Sequence, residues 1–63
     1  MAGRIKALRA AKDWSQEVLA EKAHLHRTYL AGIESGNRNP SVRSLIKIAN
    51  AFRMPVGELF RDK

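Results

Sequence analysis

The sequence predicts an all-α fold, a compact domain of four to five short helices in which residues 15–35 form a helix, a tight turn and a second helix. Three observations carry the prediction. Apolar residues recur at three- and four-residue spacing in the segments between breaks. The breaks are helix punctuation, with Ser15 and Ser41 suited to cap a helix start and Gly36, Pro40 and Pro55 suited to end one. The 63 residues suffice for one domain, expected over 1–63, whose modest core yields only a few kcal/mol of net stability.

The elements follow in order. Gly3 to Lys12 places Ile5, Leu8 and Ala11 at helical spacing among good helix formers, which predicts the first helix. Asp13 and Trp14 interrupt it, and Ser15 can accept from the free amides of the next turn, with Glu17 at the positive helix end. Trp14 precedes that cap and is spaced to pack on Leu19 as a hydrophobic staple. The second helix has a narrow apolar side, Val18, Leu19, Ala20 and Ala23, whose small residues allow another helix to cross closely. His24 and Leu25 form the turn. The third helix spans about 26–35, buries Leu30 and Ile33, and ends at Gly36, which fits the left-handed residue that closes a helix.

Asn37, Arg38, Asn39 and Pro40 are loop chemistry. After the Ser41 cap, Val42, Leu45, Ile46, Ile48, Ala49 and Phe52 give the fourth helix the widest apolar stripe in the chain. Arg53, Met54 and Pro55 break it, because the residue before a proline is pushed away from helical angles. Val56 to Phe60 is expected to make a short, frayed fifth helix, since Gly57 weakens it and Pro55 brings no side-chain cap. Arg61, Asp62 and Lys63 form a polar end.

Charge and composition narrow the function. Twelve Lys and Arg against six Asp and Glu leave a net charge of +6. Between Lys22 and Arg53 the basic residues Arg27, Arg38, Arg43 and Lys47 face a single acid, Glu34. Such a surface concentrates polyanions, although an ordinary solvated surface can carry the same charge. The absence of cysteine removes disulfides and thiolate metal sites and fits a reducing compartment, so a cytoplasmic location is expected. No apolar run approaches the roughly 18 residues of a membrane span, and the charged first twelve residues do not read as a signal peptide. The small apolar side of the first helix is needed for the core, which argues against membrane binding.

The third helix carries the functional reading. With Leu30 and Ile33 buried, its opposite side presents Arg27, Thr28, Ala31 and Gly32, with His26 at the tip and Tyr29 on the flank. Gly32 weakens the helix by about 1 kcal/mol relative to Ala, which implies that close approach of another surface offsets the loss. The major groove of DNA admits one helix, and there Arg can grip guanine while Thr bonds a base edge or packs on thymine. Arg27 and Thr28 stand at the helix start, where recognition helices contact bases.

The run SQEVLAEKAHLHRTYLAGIESGNRNPSVRSLIKIANAF resembles the helix-turn-helix of the phage repressor and Cro family, also called the xenobiotic-response-element family. The similarity extends from about Ile5 to Phe60, and its markers are Ser15-Gln16, Leu19-Ala20, Ile33-Glu34-x-Gly36, Pro40 and Ile48-Ala49. His26-Arg27-Thr28-Tyr29 and Arg38-Asn39 look most like the controller proteins of restriction-modification systems. The resemblance implies a repressor-like DNA-binding domain that regulates transcription as a homodimer on double-stranded DNA. It assigns base reading to Arg27 and Thr28, beside His26 at the tip and Gly32, which falls where many members carry a longer reading side chain. It assigns the DNA backbone to Gln16, Ser35, Asn37, Arg38 and Asn39, to which Tyr29 and Arg43 are added. Arg38 alternatively enters a narrow minor groove. Arg9 and Glu34 resemble the family's internal ion pair, and Met54, Val56, Leu59 and Phe60 become dimer candidates, although Leu59 and Phe60 can equally close the core.

The chain departs from the family pattern at three places. His24 stands where Gly usually makes the turn, so it either adopts the left-handed conformation or shifts the turn. Arg53 stands where Gly commonly follows the fourth helix, and Pro55 where Ser usually caps the fifth. Other readings are weaker. His24 and His26 lack a third nearby metal ligand, and no nucleophile, base and orienting group form a catalytic set, so neither a metal, a cofactor nor an enzyme is expected. The alternative from another class is an antitoxin that binds a partner toxin and its own operator.

Overall fold

A computed structural model describes the backbone of residues 2–60 and the side chains of residues 3–59. The expectations for Arg61, Asp62, Lys63 and the Phe60 side chain lie outside the described residues. Four helices, α1 Ala2–Lys12, α2 Gln16–Ala23, α3 Arg27–Ser35 and α4 Val42–Ala51, are followed by a closing 3-10 turn, Val56–Phe60. The described residues contain no strand. The fold is all-α, as the periodicity predicts. The helix α2 packs on both α3 and α4, α1 packs on α3, and the closing turn packs on α4 and α1.

The two serine caps form as their positions predict. Ser15 Oγ accepts from the Val18 N–H at 3.1 Å, and Ser41 Oγ accepts from the Ser44 N–H at 3.1 Å. Each removes one of the unpaired donors at a helix start. The α3 start differs, because His26 precedes it in extended conformation and makes no side-chain cap.

All four helices end in the same way. The amides of Trp14, Leu25, Asn37 and Met54 reach back five residues to the carbonyls of Arg9, Ala20, Gly32 and Ala49, at 2.9–3.0 Å. The residue before each of these amides is left-handed, with φ of 62° at Asp13, 58° at His24, 86° at Gly36 and 57° at Arg53. This is the Schellman closure, and glycine fills the left-handed position once. His24 adopts the strained conformation and leaves the turn unshifted. Arg53 does the same, so the missing glycine after α4 leaves that closure intact.

The core contains Ile5, Leu19, Ala20, Ala23, Leu30, Ile33, Leu45, Ile48, Ala49, Phe52 and Leu59. Three expectations need correction. Ala11 is exposed, so α1 contributes Ile5 and half-buried Leu8 only. The α4 stripe is wider than the core can cover, and Val42 and Ile46 are 70% and 43% exposed. Val56 to Phe60 forms a 3-10 turn instead of a frayed helix, held by the Glu58 N–H on the Pro55 carbonyl at 2.9 Å. Leu59, at 1% exposure, is spent on the core and is unavailable to a partner subunit. Trp14 packs on the core and stacks on Phe52, with ring centroids 5.1 Å apart, and Lys12 and Lys22 approach the same ring.

A left-handed residue with a side chain is strained by about 1–2 kcal/mol, while glycine loses more entropy on folding. His24→Gly is therefore expected to stabilise the fold by about 0.5–1 kcal/mol, read as a higher urea midpoint with an unchanged slope. An unchanged or lower midpoint would mean that His24 makes compensating contacts.

Candidate nucleic-acid interface

Two attachments position α3. The first lies behind it, where Glu34 has a side chain 1% exposed. Arg9 on α1 donates through Nε and Nη2 to the two carboxylate oxygens, at 2.8 and 2.7 Å, and through Nη1 to the Trp14 carbonyl at 3.0 Å. Gln16, the first residue of α2, donates its Nε2 to Glu34 Oε1 at 3.1 Å. One carboxylate thus joins α1, the α2 start and α3. Burial, the largest influence, pushes the Glu34 carboxyl up, but the Arg9 and Gln16 hydrogen bonds and the Arg9 charge outweigh it and hold it below the usual carboxylate range. The Arg9 guanidinium is raised, chiefly by the hydrogen bond to Glu34.

The second attachment lies on the side facing α4. The Tyr29 hydroxyl accepts from the Ser41 N–H at 3.3 Å and from Ser44 Oγ at 3.1 Å. Ser41 Oγ in turn donates to Ser44 Oγ at 3.0 Å. These bonds, Ser44 first, hold the Tyr29 phenol below its usual value. Ser44 is buried, a role that the apolar periodicity of the segment does not reveal. Its signal is the Ser-x-x-Ser spacing from the Ser41 cap, which puts a second hydroxyl beside the first.

The remaining predicted residues separate by location. His26, Arg27 and Thr28 are exposed at the α3 start. Ser35, Asn37, Arg38 and Asn39 are exposed at its end, and Arg43 is exposed on α4. The Ser35 hydroxyl donates to the Gly32 carbonyl at 3.1 Å. Two residues sit differently from the expectation. The Gln16 amide is engaged inside the chain by Glu34, leaving its carbonyl oxygen and second N–H as the outward groups. The opening at Gly32 is occupied from within, since a Cβ there would lie 3.0 Å from Arg38 Cγ and 3.2 Å from Cδ. The described residues hold no group of three potential metal ligands.

A family model described as helix-turn-helix, of the Cro and C1 type, matches residues 5–59. The chain belongs to the helix-turn-helix family. Its relatives include the immunity repressor of Bacillus phage phi105, 45% identical over 60 residues, which cover 95% of this chain and 42% of the repressor. The control protein C.MunI from a Mycoplasma species is 43% identical over 60 residues, covering 94% of this chain and 81% of that protein. Among solved structures, the restriction-modification controller protein C.AhdI from Aeromonas hydrophila superposes with a TM-score of 0.90 at 42% identity, covering 94% of this chain and 89% of its own. The helix-turn-helix assignment makes double-stranded DNA the partner class. None of these relatives is named as an antitoxin or an enzyme, and the toxin-partner alternative gains no support.

Glu34 sets an acid limit on the fold. With its folded pKa below the unfolded value of about 4.3, its contribution is fully present above that pH and is lost as pH falls through the folded pKa. Urea midpoints of the parent protein should hold down to about pH 4.3 and then drop, while Glu34→Gln should show a flatter drop. Arg9→Met, which leaves the buried carboxylate unpaired, should cost about 3 kcal/mol at neutral pH. Parallel acid profiles for parent and Glu34→Gln would remove Glu34 from this role.

Proposed function

We propose that the chain is a sequence-specific transcriptional regulator that binds a palindromic operator as a homodimer, with one α3 helix of each subunit in successive major grooves. The observation that supports this reading best is the exposed Arg27-Thr28 pair at the start of a helix whose other faces are fixed by Leu30, Ile33 and Glu34. A recognition helix needs that combination, since its N-terminal residues contact base edges while the rest of the domain holds its angle.

In this reading Arg27 and Thr28 read bases, with His26 beside them at the helix entrance. The exposed loop residues Asn37, Arg38 and Asn39, with Ser35 and Arg43, follow the phosphate backbone. Gln16 contributes through the α2 start, where free amides favour an anion, and through the part of its amide that Glu34 leaves open. The dimer contact falls on the C-terminal part, where Met54 and Val56 remain half-buried and Val42 and Ile46 one turn apart on α4 are exposed. Leu59 belongs to the core and is no longer a dimer candidate.

Arg27→Ala should cost about 1–3 kcal/mol at one base-pair position and relax specificity there, measured on single-substitution variants of a duplex selected from a random pool. A uniform loss on all duplexes would instead make Arg27 a phosphate contact. Sedimentation should show a dimer on the full operator, with half-sites about one helical turn, or roughly 34 Å, apart. A monomer occupying one half-site at every concentration would refute the dimer.

A further inference from the structure

Gly32 places a helix-weakening residue in the interior of α3, and the structure gives it an intramolecular neighbour. A Cβ at this position would stand 3.0, 3.2 and 3.4 Å from Cγ, Cδ and Cβ of Arg38. Carbon atoms in good contact sit about 3.5–4.0 Å apart, so the glycine leaves a notch and the Arg38 stem fills it. Further along the same side chain, the guanidinium carbon lies 5.3 Å from the centre of the Tyr29 ring, within cation–π range.

The backbone below this side chain is held as well. The Arg38 N–H donates to the Gly32 carbonyl at 3.1 Å, and the Asn37 N–H donates to the same oxygen at 2.9 Å. The Tyr29 ring is fixed in turn by its hydroxyl, which accepts from the Ser41 N–H and Ser44 Oγ. Arg38 is thus supported at its backbone, its stem and its head, yet it remains exposed.

We propose that Gly32 and Tyr29 form a seat that presents the Arg38 guanidinium to DNA in one orientation, so that Gly32 is a positioning residue for Arg38. The inference rests on the reading that the loop through Arg38 lies along the duplex. An arginine has many rotamers, and ordering it opposes binding. A side chain already seated loses less freedom when it meets its phosphate or base, which is preorganisation. The lowered helix propensity at Gly32 is offset by this contact, and the space it leaves is not an open approach for the duplex.

The experiment combines Gly32→Ala and Arg38→Ala, singly and together, with anisotropy titrations at several salt concentrations on the duplex recovered by selection from a random-sequence pool. In the free protein, the Arg38 side-chain protons should show ring-current shifts from Tyr29 that diminish in Gly32→Ala. The melting temperature of Gly32→Ala should hold or rise, because Ala is the better helix former. Its affinity should nevertheless fall about three- to tenfold when Arg38 is present and change by less than about twofold when Arg38 is already Ala. An equal loss in both backgrounds would mean that the Gly32 backbone itself meets DNA, which overturns the seat and leaves the loop reading standing. No loss in either background also overturns it. If Arg38→Ala alone changes neither affinity nor the salt slope, the loop reading fails and the seat falls with it.

Discussion

The bidentate pair between Arg9 and Glu34 is the constraint on which the arrangement of the first three helices depends. Its guanidinium also holds the Trp14 carbonyl at the end of the α1 closure, and its carboxylate also accepts from Gln16 at the start of α2. A core of small aliphatic residues packs α2 against its neighbours but permits several rotations of a short helix at similar energy. The fork geometry of arginine on carboxylate removes that freedom, because two parallel hydrogen bonds fix an angle as well as a distance. A buried ion pair adds little net stability over an apolar substitute, so what it supplies here is the register of α3. Glu34 lies on the buried side, and that choice of register turns Arg27 and Thr28 outward.

The helix ends impose the complementary constraint. Four identical closures keep each connection to a few residues, and short connections let a 63-residue chain enclose a core at all. Three of the four left-handed positions carry Asp13, His24 and Arg53, so strain accumulates where glycine would relieve it. Glycine is placed at the end of α3 instead, directly before the loop that folds back over Gly32. That closure brings the Asn37 and Arg38 amides onto one carbonyl, and the side-chain course of Arg38 follows from it.

Much of this was legible in the sequence, for reasons that differ by residue. Ser15, Ser41 and Gly36 act within three or four residues of themselves, so local chemistry determines them. Leu30 and Ile33 share a spacing that only one helix face can satisfy. Val42 and Ile46 have the same periodicity as Leu45 and Ile48, yet they are exposed, because periodicity records apolarity and not which elements arrive to cover it. Leu59 was ambiguous for the same reason, and the packing of the closing turn on α4 and α1 decides it. The family pattern located Gln16, but its bond to Glu34 depends on how α2 and α3 cross. Gly32 stands out in the sequence as a helix-weakening residue that the approach of an outside surface would explain, whereas its neighbour in the fold is Arg38, brought there by a left-handed turn whose consequence for side chains is not local.

These constraints meet in α3, which is held from two sides. Behind it, Arg9 and Gln16 grip Glu34 near the C-terminal end. On the α4 side, the Tyr29 hydroxyl joins the Ser41-Ser44 pair, while the Tyr29 ring carries Arg38. In the proposed reading, a helix with only Arg27 and Thr28 as strong base readers has little side-chain chemistry to spread over an operator, so small errors in its angle would remove a large share of its discrimination. Rigid attachment compensates for that scarcity, since a few groups held in fixed geometry discriminate better than many that must be ordered on binding. Arg38 extends the same logic beyond the helix. In the proposed seat at Gly32, it adds a charged group at the far end of α3, held by the same fold that leaves Arg27 exposed at the near end.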